Sequence, residues 1–274
     1  MTHYSLIFEG GGIKGIAHVG ALKFISETGL YSNIKFVAGS SAGSQIATLF
    51  AAGLCHLEIR EIFQIHHIAD SSCFRNFNIS KYRSFKSNLL ERYMNKILKR
   101  KFNIDKITFG ELFKKTGIHL KITGTCISDQ TFAWFDYQIT PFMEVAKAVR
   151  ISSCIPLHYQ DKYYVDGGLI RSLPSDAFPN TKPIILEFEE SNSNSFATSV
   201  LNTMLGNVYR SPIGECIHVI IPTGHISATD FNINDDDKCL FYYAGYTSIK
   251  NAFELTDMTL YYNKKSSMSN GTYI

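Results

Sequence analysis

The sequence predicts an α/β fold with a mainly parallel central sheet, because two strand–helix pairs follow one another within its first 53 residues. Residues 4–9 form a short apolar strand, and residues 13–24 carry apolar side chains at helical spacing up to Gly29, a typical residue after a helix end. Residues 34–38 form a second apolar strand, and a second helix ends at Gly53. This βαβ pattern places the two strands parallel in one sheet.

The remaining pattern continues the same architecture in one domain covering residues 1–274. With 274 residues and 45% apolar composition, the chain can bury roughly 70–75% of the surface exposed when it is unfolded. Residues 55–110 are mostly polar and helical, and they form a helical insertion. Further strands are predicted at residues 120–128, 133–138, 163–165, 182–189 and 216–222, and further helices at 141–151, 196–207 and 235–263, before a frayed tail at 264–274.

The charge is close to balanced overall but concentrated in one segment. The 27 Lys and Arg residues against 24 Asp and Glu residues give a net charge of +3, which excludes a strongly basic nucleic-acid arm and an acidic tail. Residues 75–106 hold ten basic residues against Glu91 and Asp105, so this basic segment carries +8 and the rest of the chain −5. The basic residues are Arg75, Lys81, Arg83, Lys86, Arg92, Lys96, Lys99, Arg100, Lys101 and Lys106.

The cysteines and the N-terminus predict an intracellular, cytoplasmic protein without a metal site. The six cysteines are scattered with no Cys-x-x-Cys pair, which favours free thiols in a reducing compartment. No basic and apolar leader precedes the first strand, and no apolar stretch is long enough to cross a membrane. The cysteines and histidines between residues 55 and 73 lack a recognised zinc spacing.

A glycine-rich loop joins the first strand to the first helix. Residues 10–15 read Gly-Gly-Gly-Ile-Lys-Gly, which fits the spacing of a dinucleotide-binding loop. That site needs an acidic residue at the end of the second strand, where this chain has Val37-Ala38-Gly39, and a phosphate loop needs Lys-Ser or Lys-Thr after the last glycine. The consecutive amides can instead stabilise an oxyanion. A purely structural glycine turn remains the alternative.

The second strand leads into a serine turn, Gly39-Ser40-Ser41-Ala42-Gly43. This Gly-x-Ser-x-Gly pattern between a strand and a helix is typical of a nucleophile on a sharp turn, with its hydroxyl exposed. Ser40 is the neighbouring candidate, but only Ser41 has glycine at both flanking positions of the pattern.

The base that would activate the serine has two candidate sources. His218 and His225 lie late in the chain, as a Ser-His-Asp arrangement requires, but neither is part of a recognised motif. Asp166 ends a strand and is followed by Gly167 and Gly168, and a partly desolvated aspartate can itself accept the serine proton. An ordinary Asp-Gly turn is the structural alternative.

Taken together and in this order, the glycine loop, the serine turn and Asp166-Gly167-Gly168 resemble the signature of the patatin-like phospholipase family. Residues 15–22 resemble the family's first helix, and residues 150–156 resemble its serine-and-proline block. The resemblance covers residues 4–183 and, more weakly, 229–246. It implies a three-layer α/β/α fold, hydrolysis of acyl esters in phospholipids through an acyl-enzyme, and no cofactor.

The resemblance also assigns roles residue by residue. Ser41 is the nucleophile and Asp166 the base, forming a dyad without histidine. The backbone of Gly10, Gly11 and Gly12 forms the oxyanion hole. Lys14 stands where the family often has arginine, and it either raises the local positive potential or is a solvated first-turn lysine. His18 is expected to be a buried helix residue. The supporting loop and turn positions are Gly15, Gly39, Gly43, Gly167 and Gly168.

The sequence therefore predicts a lipid acyl hydrolase of the phospholipase A type. The alternatives are a soluble carboxylesterase that uses a Ser-His-Asp triad and a non-catalytic storage or interaction protein that retains the fold. Residues 87–102 form a basic amphipathic helix, which suits contact with an anionic membrane surface beside the active site. An ordinary helix that packs its apolar side on the core is the other interpretation.

Overall fold

The computed structural model describes residues 3–65, 88–153, 157–189, 215–226, 228 and 233–269. In this part of the chain, eight strands form one sheet in the order β5-β6-β3-β2-β1-β7-β8, with β4 paired to β3 as well. The pairs among β3, β2, β1, β7 and β8 are parallel, and β4, β5 and β6 are antiparallel additions. The strands are β1 (Tyr4–Phe8), β2 (Ile34–Gly39), β3 (His119–Cys126), β4 (Thr131–Phe135), β5 (Leu157–Tyr159), β6 (Lys162–Val165), β7 (Lys182–Phe188) and β8 (Ile217–Ile221).

Helices flank this sheet, and most of them follow a strand. Those described are α1 (Gly15–Glu27), α2 (Ala42–Ala51), α3 (His56–Ile65), α4 (Asn88–Phe102), α5 (Phe109–Thr116), α6 (Val145–Ser152), α7 (Gly168–Arg171) and α8 (Asp235–Ser269). Because five strands are parallel, their carboxyl ends meet at one edge of the sheet. The glycine loop after β1 and the serine turn after β2 both lie at that edge, where open α/β sheets bind ligands.

Alternation along the strands separates two buried clusters on the two faces of the sheet. Leu6 and Phe8 of β1 belong to the larger cluster, which includes residues of α1, α2, α4, α6 and α8. Ile7, between them, belongs to the smaller cluster with Ala38 and Phe178. Successive side chains of a strand point to opposite faces, so both faces of β1 are covered and its residues Leu6, Ile7 and Phe8 are apolar.

The long helix α8 crosses α1 at very short distance because both helices carry glycine at the crossing. A Cβ atom on Gly20 would lie 1.8 Å from the Tyr242 carbonyl oxygen, and one on Gly245 would lie 1.8 Å from the Ala17 oxygen. The Tyr246 hydroxyl also donates to the carboxylate of Glu27. The crossing therefore depends on the absence of two side chains.

Most predicted elements are found, and the α/β fold with its mainly parallel sheet is confirmed. The prediction of a frayed tail at residues 264–274 was wrong in part, since α8 continues to Ser269. Neither glycine nor proline interrupts residues 246–269. The strand β5 and the helix α5 were not predicted. The predicted helix at residues 196–207 lies outside the described residues. The described cysteines, Cys55, Cys126, Cys216 and Cys239, are free.

The basic helix α4 packs its apolar side inward, as an ordinary surface helix does. Met94 and Leu98 are buried in the larger cluster. The first turn of α4 is joined to the last turn of α6 by the ion pair of Glu91 and Arg150. At its other end, the Lys101 ammonium donates to the carbonyl oxygen of Gly53, just beyond α2. Residues 66–87, with Arg75, Lys81, Arg83 and Lys86, lie outside the described residues. Among the helices described, none is long and apolar enough to span a membrane.

Candidate active site

Ser41 occupies a sharp turn between β2 and α2. Its backbone dihedral angles are φ +49° and ψ −121°, a conformation that residues other than glycine rarely adopt. Such a conformation costs about 1–3 kcal/mol and persists only where the surrounding structure imposes it. The Ser41 side chain is partly exposed, whereas the neighbouring Ser40 is fully buried. The turn thus presents Ser41 at the surface of the site.

Glycine is required on both sides of this turn for steric reasons. A Cβ atom on Gly39 would lie 2.3 Å from the Gly43 carbonyl oxygen. A Cβ atom on Gly43 would lie 2.4 Å from the Phe8 carbonyl oxygen and 2.6 Å from that of Glu9. Gly15 makes a looser contact, since its Cβ atom would lie 3.3 Å from that of Ala42. The glycines let α2 start directly against the end of β1.

Asp166 follows β6 and reaches Ser41 directly. The Ser41 hydroxyl donates to Asp166 Oδ2 at 2.8 Å, across 125 residues of sequence. The other carboxylate oxygen, Oδ1, accepts the Gly168 amide at 2.7 Å. Asp166 is only 8% exposed. The structure therefore brings together the two residues that the sequence predicted as nucleophile and base.

The two glycines after Asp166 allow the backbone to turn tightly against β3. A Cβ atom on Gly167 would lie 2.1 Å from Thr123 Oγ1, so no larger residue fits there. The Thr125 hydroxyl donates to the Asp166 carbonyl oxygen at 3.0 Å, which fixes the same turn to β3. Gly168 begins the short helix α7, and its amide points at the carboxylate.

Burial makes Asp166 a stronger proton acceptor than an ordinary aspartate. Desolvation raises its pKa from 3.8 to about 6, although the hydrogen bonds from the Gly168 amide and the Ser41 hydroxyl lower the pKa. The carboxyl group is therefore mostly ionised at neutral pH. A general base with a pKa near the working pH combines the correct protonation state with a useful affinity for the proton.

The glycine loop lies beside Ser41. A Cβ atom on Gly10 would be 3.2 Å from Ser41 Cβ. The Gly10 amide donates to the Ser172 carbonyl oxygen at 3.0 Å. It is therefore not free to bind an oxyanion, in contrast to the prediction that the amides of Gly10, Gly11 and Gly12 all do so. Within the described residues, the amides of Gly11 and Gly12 donate to no acceptor. Gly12 has φ +55°, and its Cβ atom would be 2.0 Å from the Ala228 oxygen.

Lys14 is buried, so its interpretation as a solvated first-turn lysine is wrong. It is 5% exposed, and desolvation lowers its pKa, whereas the carboxylates of Glu9 and Glu189 raise it. Glu9 immediately precedes the glycine loop, and a carboxyl oxygen of Glu9 accepts the Phe188 amide at 2.6 Å. Burial raises the pKa of Glu9 to about 8. Lys14 was singled out from the sequence, but Glu9 was not.

Three histidines that the sequence singled out have other partners or surroundings than Ser41 in the described part of the chain. His18 is buried as predicted, shares a hydrogen bond of 2.9 Å with the Glu9 carbonyl oxygen, and has its pKa lowered by burial to about 4. His218 pairs with the carboxylate of Glu187, which raises the pKa of the imidazole. His225 is exposed. No described histidine side chain hydrogen-bonds Ser41, whose hydroxyl donates to Asp166.

The comparison with known families agrees with this geometry. The sequence profile of the patatin-like phospholipases matches residues 6–179, which include the glycine loop, Ser41 and Asp166. The chain belongs to the patatin-like phospholipase family.

Two viral proteins are among the relatives of this patatin-like chain. An uncharacterised protein of Acanthamoeba polyphaga mimivirus is 31% identical over 217 residues, covering 75% of this chain and 72% of the relative. A protein of Invertebrate iridescent virus 6 named as a probable lipid hydrolase is 26% identical over 186 residues, covering 63% of this chain and 62% of the relative.

Solved structures share the patatin-like fold. VipD from Legionella pneumophila has a TM-score of 0.62 at 16% identity, covering 93% of this chain and 67% of VipD. ExoU from Pseudomonas aeruginosa, solved in complex with SpcU, has a TM-score of 0.59 at 20% identity, covering 92% of this chain. The chain spans about half the length of ExoU, 52%. At these identities the likeness establishes the fold alone.

Replacing Asp166 with asparagine is expected to stabilise the protein at high pH more than at low pH. A folded-state pKa of about 6 against 3.8 means that wild-type stability falls as pH rises through this interval, because ionising the buried carboxyl group is unfavourable. The expected gain in the free energy of unfolding is about 3 kcal/mol at pH 8 and about 1 kcal/mol at pH 4.5. Denaturant titrations at both pH values measure it.

The control is Asp161→Asn, an exposed aspartate in the turn between β5 and β6. This substitution is expected to change stability little at either pH. An equal effect of Asp166→Asn at pH 4.5 and pH 8 would contradict the raised pKa.

Proposed function

We propose that this patatin-like chain is a lipid acyl hydrolase of the phospholipase A type, with Ser41 as nucleophile and Asp166 as base. The hydrogen bond of 2.8 Å from the Ser41 hydroxyl to the buried Asp166 carboxylate is the observation that carries the proposal. A serine is a weak nucleophile until a neighbouring base accepts its proton. Membership in the family and the relative named as a probable lipid hydrolase support an acyl lipid as the substrate.

In the first half-reaction, Ser41 Oγ attacks the carbonyl carbon of the acyl ester, and its proton passes to Asp166 Oδ2. The resulting tetrahedral intermediate carries a negative charge on the former carbonyl oxygen. When the intermediate collapses, the bond to the leaving alkoxide breaks and Asp166 returns the proton to it. The products of this step are the lysophospholipid and an acyl-enzyme on Ser41.

In the second half-reaction, water takes the place of the alcohol. Asp166 accepts a proton from the water as its oxygen attacks the acyl-enzyme, and Ser41 leaves with a proton from Asp166. The fatty acid is released and both side chains return to their initial state. The raised pKa of Asp166 suits both directions of proton transfer.

The amides of Gly11 and Gly12 are the donors that we assign to the oxyanion. Both belong to the loop beside Ser41 and are unbonded within the described residues, whereas the Gly10 amide holds Ser172. A preorganised donor is worth roughly 3–4 kcal/mol to the transition state. The buried Lys14 adds positive potential at the base of the loop.

The two alternatives receive less support. A Ser-His-Asp carboxylesterase requires a histidine at Ser41, but His218 pairs with Glu187 and His225 is exposed. A non-catalytic scaffold would not need the strained turn at Ser41 together with its bond to a buried carboxylate.

Contact with an anionic lipid surface through α4 is a second part of the proposal. Lys96, Lys99 and Arg100 are exposed on this helix. With Lys101 they offer positive charge worth about 1 kcal/mol per residue near anionic lipid. Nearby acidic residues reduce this positive charge. Lys99 pairs with Asp105. Glu58 and Glu61 line a groove of about 330 Å³ together with Lys96, Arg100 and Lys101. Lipid contact therefore rests on charge, because the buried apolar side of α4 faces the core.

Substitutions at the proposed dyad test the reaction. Ser41→Ala is expected to lower kcat for phospholipid hydrolysis on the order of 10⁴-fold or more, and Asp166→Asn roughly 10³–10⁴-fold, because each removes a partner of the proton transfer. The wild-type rate is expected to fall below a pH of about 6 as Asp166 becomes protonated. Lipid products resolved by acyl position and head group measure the activity.

Ser40→Ala is the matched control, since Ser40 is adjacent but fully buried. It is expected to retain activity within a few-fold. Phospholipid hydrolysis by Ser41→Ala at the wild-type rate would exclude the proposed mechanism.

The oxyanion assignment is tested by Gly12→Ala against Gly224→Ala. Both glycines have positive φ, at +55° and +59°, so alanine strains both backbones similarly. Only at Gly12 does the new Cβ atom meet another group, 2.0 Å from the Ala228 oxygen. We expect Gly12→Ala to lower kcat at least 10²-fold and Gly224→Ala to leave it nearly unchanged, as steady-state kinetics would measure. Equal losses would count against the assignment.

Lipid contact is tested by liposome co-sedimentation. Replacing Lys96, Lys99, Arg100 and Lys101 together with glutamine is expected to weaken binding to anionic vesicles at least tenfold and to change binding to neutral vesicles little. The control removes the same charge from exposed lysines elsewhere, by replacing Lys35, Lys114, Lys115 and Lys250. Equal binding by both variants and the wild type would reject this surface.

A further inference from the structure

Ser152 is the last residue of α6, and it lies between the two segments that carry Ser41 and Asp166. Its hydroxyl accepts the Ser41 amide at 2.9 Å. Its carbonyl oxygen accepts the Gly167 amide at 3.2 Å. Ser152 is fully buried, and its bond to the Ser41 amide is partly buried. One residue therefore connects the backbone of the serine turn to the backbone of the turn that holds the aspartate.

The backbone carbonyl oxygen of Ser41 has more hydrogen-bond partners than its backbone amide. Its carbonyl oxygen accepts three hydrogen bonds: from the Ser44 amide at 2.9 Å, the Ser44 hydroxyl at 2.6 Å and the Ser153 hydroxyl at 3.1 Å. Its amide donates to Ser152 Oγ, and within the described residues this is its one acceptor. Removing Ser153 would leave the carbonyl oxygen with two donors, whereas removing the Ser152 hydroxyl would leave the amide without a partner.

The amide bond matters because the Ser41 backbone is strained. With φ at +49°, the turn is held by its surroundings rather than by its own preference. An amide that loses its acceptor in a poorly solvated place is destabilised by about as much as the strained backbone itself. Without Ser152 Oγ, the turn can relax toward an ordinary backbone conformation, and Ser41 Oγ would move relative to Asp166.

The end of α6 is itself fixed from the far side. Arg150, two residues before Ser152, forms an ion pair of 2.8 Å with Glu91 of α4, and both side chains are largely buried. Gln45 of α2 donates to the Ser153 hydroxyl at 3.4 Å. The hydroxyl of Ser152 is therefore held on a rigid element, as precise positioning of reacting groups requires.

We propose that Ser152 is a positioning residue, which holds Ser41 in its strained conformation and sets the separation of Ser41 from Asp166. This inference rests on the proposed function, because it assumes that the separation of the two side chains governs the reaction. Ser152 is buried and its hydroxyl accepts the Ser41 amide, so in this proposal it acts through Ser41. A displacement of about 1 Å of a reacting group can lower a rate 10²-fold.

The experiment compares Ser152→Ala with Ser153→Ala. Both remove one buried hydroxyl from neighbouring residues that contact the Ser41 backbone. We expect Ser152→Ala to lower kcat about 10–100-fold with KM within twofold of the wild type, and Ser153→Ala to lower kcat less than about threefold. The rate of Ser41 labelling by a fluorophosphonate probe is expected to fall in parallel with kcat, because labelling needs the same nucleophile without a lipid surface.

Two further variants separate positioning from folding. Ser152→Thr keeps the hydroxyl acceptor, and its kcat is expected to be at least tenfold higher than that of Ser152→Ala. Ser152→Cys is close in size to serine but a poor acceptor, and it is expected to behave as Ser152→Ala does. Melting temperatures of all four variants identify any loss of rate that follows from loss of the fold.

The result that overturns the inference is a wild-type kcat and labelling rate in Ser152→Ala, or equal losses in Ser152→Ala and Ser153→Ala. Failure to recover activity in a folded Ser152→Thr would also overturn it. Ser41→Ala is measured alongside. If it hydrolyses phospholipid at the wild-type rate, the proposed function fails, and if it is inactive while Ser152→Ala is unimpaired, the positioning role alone fails.

Discussion

The close approach of α2 to the end of β1 is the constraint on which the site depends. Gly43 lies so near the Phe8 carbonyl oxygen that a Cβ atom would be 2.4 Å from it. This contact forces the chain to turn within two residues after β2, and the turn gives Ser41 its unusual backbone angles. Because β1 and β2 are adjacent and parallel, the same contact brings the loop after β1 beside Ser41.

Electrostatics around the site follow from its burial. Asp166 and Glu9 both have pKa values raised mainly by desolvation, to about 6 and about 8. Burying these two carboxyl groups does not stabilise the folded protein, and the ionised form of Asp166 lowers its free energy of unfolding. In the proposed reaction the same desolvation is useful, because it makes Asp166 a base of suitable strength. Stability at this position is exchanged for reactivity.

The motifs that the sequence revealed are those in which backbone geometry dictates residue type. Gly39 and Gly43 are needed by steric contact, and Gly167 leaves no room for a side chain, so their pattern is visible without coordinates. The parallel sheet was also predictable, since two strand–helix pairs follow one another within the first 53 residues. The capping box of Thr108 and Glu111 is a local sequence signal for the start of α5.

Other features depend on contacts between distant segments, which no local pattern encodes. The burial of Lys14, the bond from the Gly10 amide to Ser172, and the bridging position of Ser152 are of this kind. The short strand β5 was missed because its three residues carry too little alternation to stand out. The sequence therefore predicts the pair Ser41 and Asp166, but not the contacts that hold these two residues in place.

The glycine crossing of α1 and α8 has a consequence for how the chain is made. Helix α1 leaves the ribosome long before α8 does, because its Glu27 lies 219 residues before its partner Tyr246 in the sequence. Until α8 emerges, the apolar side of α1 lacks its cover. The nascent chain must therefore keep this surface from aggregating while these 219 residues are made, about 10–50 s at ordinary elongation rates of about 5–20 residues per second.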